Sequence, residues 1–141
     1  MKSTIIIARD VHGETSECDT ATKSIVLYSR DMDFCVSLSM LFQDRYKIVT
    51  ITDPDMLMTT VKALQPDLLI ADAAPTERMR HRFHLMKTGL PTLRIMLFYA
   101  AHYGSVGEHD SIRKFVDAAF SKPIDIEEIM RQIREFMTND P

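Results

Sequence analysis

The sequence predicts an α/β domain: a doubly wound, five-stranded parallel sheet with helices on both faces, a three-layer sandwich. Two observations lead there. Short β-branched runs alternate with amphipathic stretches along most of the chain, the pattern of a parallel sheet covered by helices. The composition, 141 residues with 45% hydrophobic, 26% charged and only 4 Gly, is that of one ordinary domain. A chain of this length buries a full core without metals or disulfides.

The elements follow in order. Residues 24–29 read as a buried strand through Ile25, Val26, Leu27 and Tyr28. Residues 34–44 place Phe34, Leu38, Leu41 and Phe42 at helical spacing. Residues 46–52 form the next strand, and Asp53-Pro54 supplies a cap and a first-turn proline for a helix through Leu64. Residues 68–71 are the third strand, 77–87 a helix stopped by Gly89, and 93–99 the fourth strand. A Gly-containing loop then enters a helix over 111–118, followed by a very short last strand ending at Ser121. In the final helix Ile126, Ile129, Met130, Ile133, Phe136 and Met137 form one apolar stripe, with Asp125 and Glu128 as a capping box.

Composition excludes several classes of function. A net charge of -3 and a pI near 5.9 argue against a general nucleic-acid or anionic-membrane binder, which carries a basic balance. Cys18 and Cys35 have no metal-type spacing, and two isolated thiols suit a reducing cytoplasm. No apolar run reaches membrane-spanning length, and the start of the chain is too short in apolar residues for a signal segment. Neither a Walker loop, a dinucleotide Gly fingerprint nor a nucleophile-base arrangement is present, so no enzyme activity is expected.

In a doubly wound fold, ligands and chemistry collect at the carboxyl ends of the strands. Those ends carry Ser29, Arg30 and Asp31, then Asp72, then Phe98 and Tyr99, then Ser121-Lys122-Pro123. The segments Pro66-Asp67-Leu68-Leu69-Ile70-Ala71-Asp72 and Phe120-Ser121-Lys122-Pro123-Ile124-Asp125 resemble the two signature segments of bacterial response-regulator receiver domains. The resemblance covers about residues 23–141, with residues 1–22 as an N-terminal extension. It implies the flavodoxin-like (βα)5 receiver fold, with Asp72 as phosphoacceptor candidate and Lys122 as the lysine that binds phosphoryl oxygens. It also implies a pair of acids holding Mg²⁺ after the first strand and a Thr or Ser after the fourth.

The chain departs from that pattern at three places. Ser29 and Arg30 stand where the family has its metal-binding carboxylates, and a guanidinium repels a cation that needs close oxygen ligands. Asp31 is aimed differently from its neighbour, so no metal or other cofactor is expected and Mg²⁺ binding is impaired. Arg30 either pairs with Asp72 in place of the metal or extends to solvent. At the switch positions, Phe98-Tyr99 replaces the small hydroxyl and Ala119 replaces an aromatic gate, exchanges complementary in volume that suggest a site filled by protein. Pro75 comes one position early after Asp72, so the loop there is remodelled.

The resemblance therefore implies an atypical stand-alone receiver of two-component phosphorelay signalling, acting by protein-protein interaction with impaired aspartyl phosphorylation. Alternatives are a conventional phosphoacceptor using Asp72, or a small-molecule or nucleotide-binding module at the strand-end crevice with Arg30 and Lys122 as anion holders. The expected partner is a signalling protein, a histidine kinase or a separate output protein, since no output domain follows Pro141. A homodimer is expected through the fourth helix, fifth strand and fifth helix, near Ile112, Arg113, Phe115 and Glu127. The N-terminal run through Ile5, Ile6 and Ile7 ends in Arg-Asp like the first strand; it is either a chance likeness or an extra strand for an open sheet edge, with 11–22 as linker. Arg78, Arg80, His81, Arg82 and His84 read as a solvated helix face rather than a nucleic-acid or metal site.

Overall fold

Strands buried on both faces organise the molecule. The computed structural model describes residues 5–7, 23–100 and 111–138. Its strands are β1 (Ile5–Ile7), β2 (Ser24–Ser29), β3 (Lys47–Ile51), β4 (Leu68–Asp72), β5 (Arg94–Tyr99) and β6 (Ala118–Ser121). Its helices are α1 (Met32–Phe42), α2 (Leu57–Leu64), α3 (Glu77–Gly89) and the C-terminal α4 (Ile126–Thr138), with a 3-10 turn at Pro54–Met56 ahead of α2. Residues 111–113 are also helical.

Successive strand residues point to opposite faces, so every internal strand feeds two cores. Ile25, Leu27, Ile70, Met96 and Phe98 meet Cys35, Leu38 and Phe42 of α1 and Ile129, Ile133 and Met137 of α4. Val26, Tyr28, Leu69, Leu97 and Tyr99 meet Leu57 and Val61 of α2 and Met79, Phe83 and Met86 of α3. Helices on both faces give the three-layer sandwich. Near-continuous burial of β2, β4 and β5 is what a parallel sheet covered on both sides requires.

The sheet order is β1-β3-β2-β4-β5-β6; β2 to β6 are parallel, and β1 joins the β3 edge antiparallel. The chain leaves β2 toward β3 and then returns to place β4 on the other side of β2. That reversal opens a crevice at the carboxyl ends of β2 and β4, where Ser29 and Asp72 face each other in register.

The N-terminal run is thus a sixth strand, Ile5 opposite Ile51 and Ile7 opposite Val49. The expected linker 11–22, Cys18 and the Gly-containing loop lie outside the described residues. The expected helix over 111–118 is cut short: residues 114–117 turn, and Ala118 already opens β6. Gly89 is the last residue of α3 rather than the stop after it. Ile126 is exposed, so the buried stripe of α4 is Ile129, Ile133 and Met137; Asp125 Oδ1 accepts from the amides of Glu127 and Glu128 as its cap. Ile112 is buried in the core and does not contribute to an exposed face.

Candidate functional site

Asp72 ends β4 with Ser29 of β2 on one side and Phe98 of β5 on the other. Its carboxylate is held at both oxygens. The Ser29 hydroxyl donates to Oδ2 at 2.7 Å, and Lys122 Nζ meets Oδ1 at 2.6 Å. The Asp72 side chain is only 10% exposed, whereas that of Lys122 is 40% exposed, so the lysine reaches in from the rim. Charge-assisted bonds of this length are the strong kind. Lys122 precedes a cis Lys122–Pro123 peptide, and its amide donates to the Tyr99 carbonyl at 2.8 Å.

Ser29 is fully buried, and its oxygen also accepts the Asp31 amide at 3.0 Å. Asp31 has a task of its own: as N-cap of α1 it accepts the amides of Asp33 and Phe34 at Oδ1. Its carboxylate serves the helix. Below Ser29, Cys35 is wholly buried and its Sγ lies 3.7 Å from the Ser29 carbonyl. Burial pushes the Cys35 thiol up from 9.0 to about 11, and the charges of Asp72 and Asp31 push in the same direction. Among the described residues, no three His, Cys, Asp or Glu side chains come together as metal ligands.

An aromatic cluster backs the carboxylate. Phe98 is fully buried, with Phe34 packed edge-on at 5.8 Å and Phe120 at 5.9 Å between ring centroids. Lys122 Nζ lies 5.6 Å from the Phe34 ring centre, so one ammonium serves both an acid and a ring face. The switch positions divide between the two faces of the sheet. Register pairs Phe98 with Phe120 and Leu97 with Ala119, which sends Phe98 and Ala119 to opposite faces of the sheet. Ala119 shares its face with Tyr99, a buried ring whose phenol is raised above its ordinary value by burial.

Arg30 does not pair with Asp72; Lys122 occupies that role, and Arg30 is exposed at the mouth of a cleft of about 600 Å³ on the α2/α3 side. Arg78 and Arg82 line the same cleft, one helical turn apart on α3. The basic helix is therefore divided, because Arg80 turns toward Phe115, its guanidinium 5.9 Å from the ring centre and 3.4 Å from the Ser111 hydroxyl. Sequence reading treated these arginines as one solvated face; the spacing of Arg78 and Arg82 was the available signal. The loop after Asp72 is short: Ala73 donates to the Phe98 carbonyl at 3.1 Å, and Thr76 caps α3 by accepting the Met79 amide.

No protein-family model matches the chain, and no curated protein does. Solved structures do match in fold. A response regulator from Thermotoga maritima superposes with a TM-score of 0.71 at 10% identity, covering 84% of this chain and 99% of that one. A CheY-like response regulator receiver domain protein from Methanospirillum hungatei gives 0.63 at 14% identity, covering 81% and 93%. A response regulator from Burkholderia pseudomallei, solved with a phosphorylated aspartic acid, a calcium ion and citrate, gives 0.64 at 17% identity, covering 84% and 75%. With five parallel strands flanked by helices, and with neighbours of this kind, the chain has the CheY-like receiver fold of response regulators.

Proposed function

We propose that this protein is a receiver-fold element of two-component signalling that works by protein-protein contact, with Mg²⁺-dependent phosphorylation of Asp72 impaired. The observation carrying this reading is that both Asp72 oxygens are engaged, one by Lys122 and one by Ser29. Phosphoryl transfer needs a divalent ion to neutralise the oxygens in flight, and Mg²⁺ needs several oxygen ligands at short range. Beside Asp72 stand a serine hydroxyl and an exposed arginine, and Asp31 is turned to its helix cap. That donor set does not fit Mg²⁺.

The partner on this reading is a signalling protein, either a histidine kinase or a separate output protein, met in the cytoplasm. No described helix is long and apolar enough to cross a membrane. The test is intact-mass spectrometry and thermal unfolding of the wild type and Asp72→Asn with Mg²⁺ plus a small phosphodonor or beryllofluoride. The expected result is no phosphoryl adduct and no stabilisation in either protein. An adduct on the wild type that the Asn variant lacks identifies a working phosphoacceptor and overturns the proposal.

A further inference from the structure

The cleft on the α2/α3 side gathers three guanidinium groups that form no ion pair with the carboxylates sharing its walls, among the described residues. Arg30 comes from the end of β2, Arg78 and Arg82 from the first turns of α3, and among the described residues none of the three has an ion pair with Asp or Glu. Uncompensated arginines on convex surface are common, but these line a concavity of about 600 Å³, within the range of small-molecule sites. Between them sits the Tyr28 phenol, almost wholly buried and raised above its ordinary value by burial, with the charges of Arg30 and Arg82 acting in the opposite direction. Both guanidinium groups are therefore within electrostatic reach of one buried hydroxyl.

The walls differ in sign. α3 supplies Arg78 and Arg82, whereas the 3-10 turn supplies Asp55, the end of β4 supplies Asp72, which is paired with Lys122, and the start of α1 supplies Asp31, whose Oδ1 is committed to its cap. Guanidinium forks match the tetrahedral oxygens of a phosphate. Carboxylates on the other walls repel a polyanion and accept hydrogen bonds from hydroxyl or amino donors. We propose that this cleft is a binding site for a small phosphomonoester with hydroxyl donors at its far end, a sugar phosphate or nucleoside monophosphate, held by Arg30, Arg78 and Arg82. Asp72 forms part of the cleft wall, and the proposed binding makes no use of its phosphorylation. Ligand entry would bridge the end of β2 to α3 and so alter the face offered to a partner.

The test is calorimetric titration of the full chain, without Mg²⁺ or phosphodonor, with inorganic phosphate, a pentose phosphate and adenosine monophosphate. The outcome is thereby independent of whether Asp72 accepts a phosphoryl group. The esters are expected to bind saturably and more tightly than inorganic phosphate. Arg78→Gln and Arg82→Gln should each weaken binding by about tenfold, the loss of a charged hydrogen bond. Arg131→Gln, an exposed arginine on α4 outside the cleft, should leave the affinity unchanged. The proposal is overturned by no saturable binding of any probe, by inorganic phosphate binding as tightly as the esters, or by an equal loss in Arg131→Gln.

Discussion

On either side of the β2 and β4 strand ends, two charged regions sit close together and are built in opposite ways. On the α1/α4 side Asp72 is matched by Lys122 and Ser29 and backed by Phe34, Phe98 and Phe120. On the α2/α3 side Arg30, Arg78 and Arg82 face an open cleft and, among the described residues, form no ion pair with Asp or Glu. Burial decides the difference. A carboxylate that is 10% exposed must be satisfied by protein, because leaving it unpaired loses several kcal/mol of solvation. Arginines at a rim keep their water and can wait for a ligand. The closed side reads as structure and the open side as a place for recognition.

Three measurements break or sharpen that contrast. The largest effect is expected from Phe98→Ala, which empties the fully buried ring position behind Asp72. It should lower unfolding free energy by about 3–5 kcal/mol in denaturant titration, while Arg82→Gln on the open side should change it by no more than about 0.5 kcal/mol. Comparable losses in the two variants would show that the open side is structural as well.

The second measurement follows alkaline pH. The Cys35 thiol ionises near 9.0 when exposed and at about 11 in the fold, so over that interval the unfolded chain binds fewer protons than the native one. Stability is then complete below the lower value and falls as pH rises toward the upper one, by on the order of 2 kcal/mol. Cys35→Ala should flatten this part of the stability profile, leaving the raised phenols of Tyr28 and Tyr99 to act at higher pH in the same direction. An unchanged slope would mean that the thiol is not desolvated.

The smallest effect belongs to Ser29→Ala. It removes one of the two Asp72 partners and the acceptor of the Asp31 amide, and should lower stability by about 1–2 kcal/mol. Combining it with Asp72→Asn should lose less than the sum of the single changes, since the two residues share a bond. Strict additivity would mean that the hydrogen bond contributes little.

The sheet and its covering helices were legible in the sequence because buried parallel strands and amphipathic helices impose different periodicities. The 111–118 stretch failed because Ala118 suits a helix as well as a strand, and only pairing with Met96 fixes its state. At the site, Asp72 and Lys122 were identified from a resemblance, and the fold brings the two side chains into contact. Arg30 takes the second of its two expected courses, toward solvent, and Tyr99 rather than Phe98 is the switch-position ring on the face of Ala119, for one geometric reason. Residues adjacent in sequence at a strand end point to opposite faces, so proximity along the chain said nothing about which layer each side chain enters. Sequence spacing also could not show that α3 divides its arginines between two neighbours.

The antiparallel strand β1 has a consequence for how copies of the molecule can meet. Backbone groups of β3 that would otherwise template a foreign strand are already taken along Val49 to Ile51. Among the described residues the borders of the sheet are then β1, three residues long, and β6, four residues long and followed after Lys122 by Pro123, which has no amide hydrogen to donate. Lateral growth of the sheet into chains of molecules therefore has only a short template at either border. Lasting association then draws chiefly on side chains of the helical faces, where a partner can be chosen by its chemistry instead of by main-chain pairing that any extended peptide could supply.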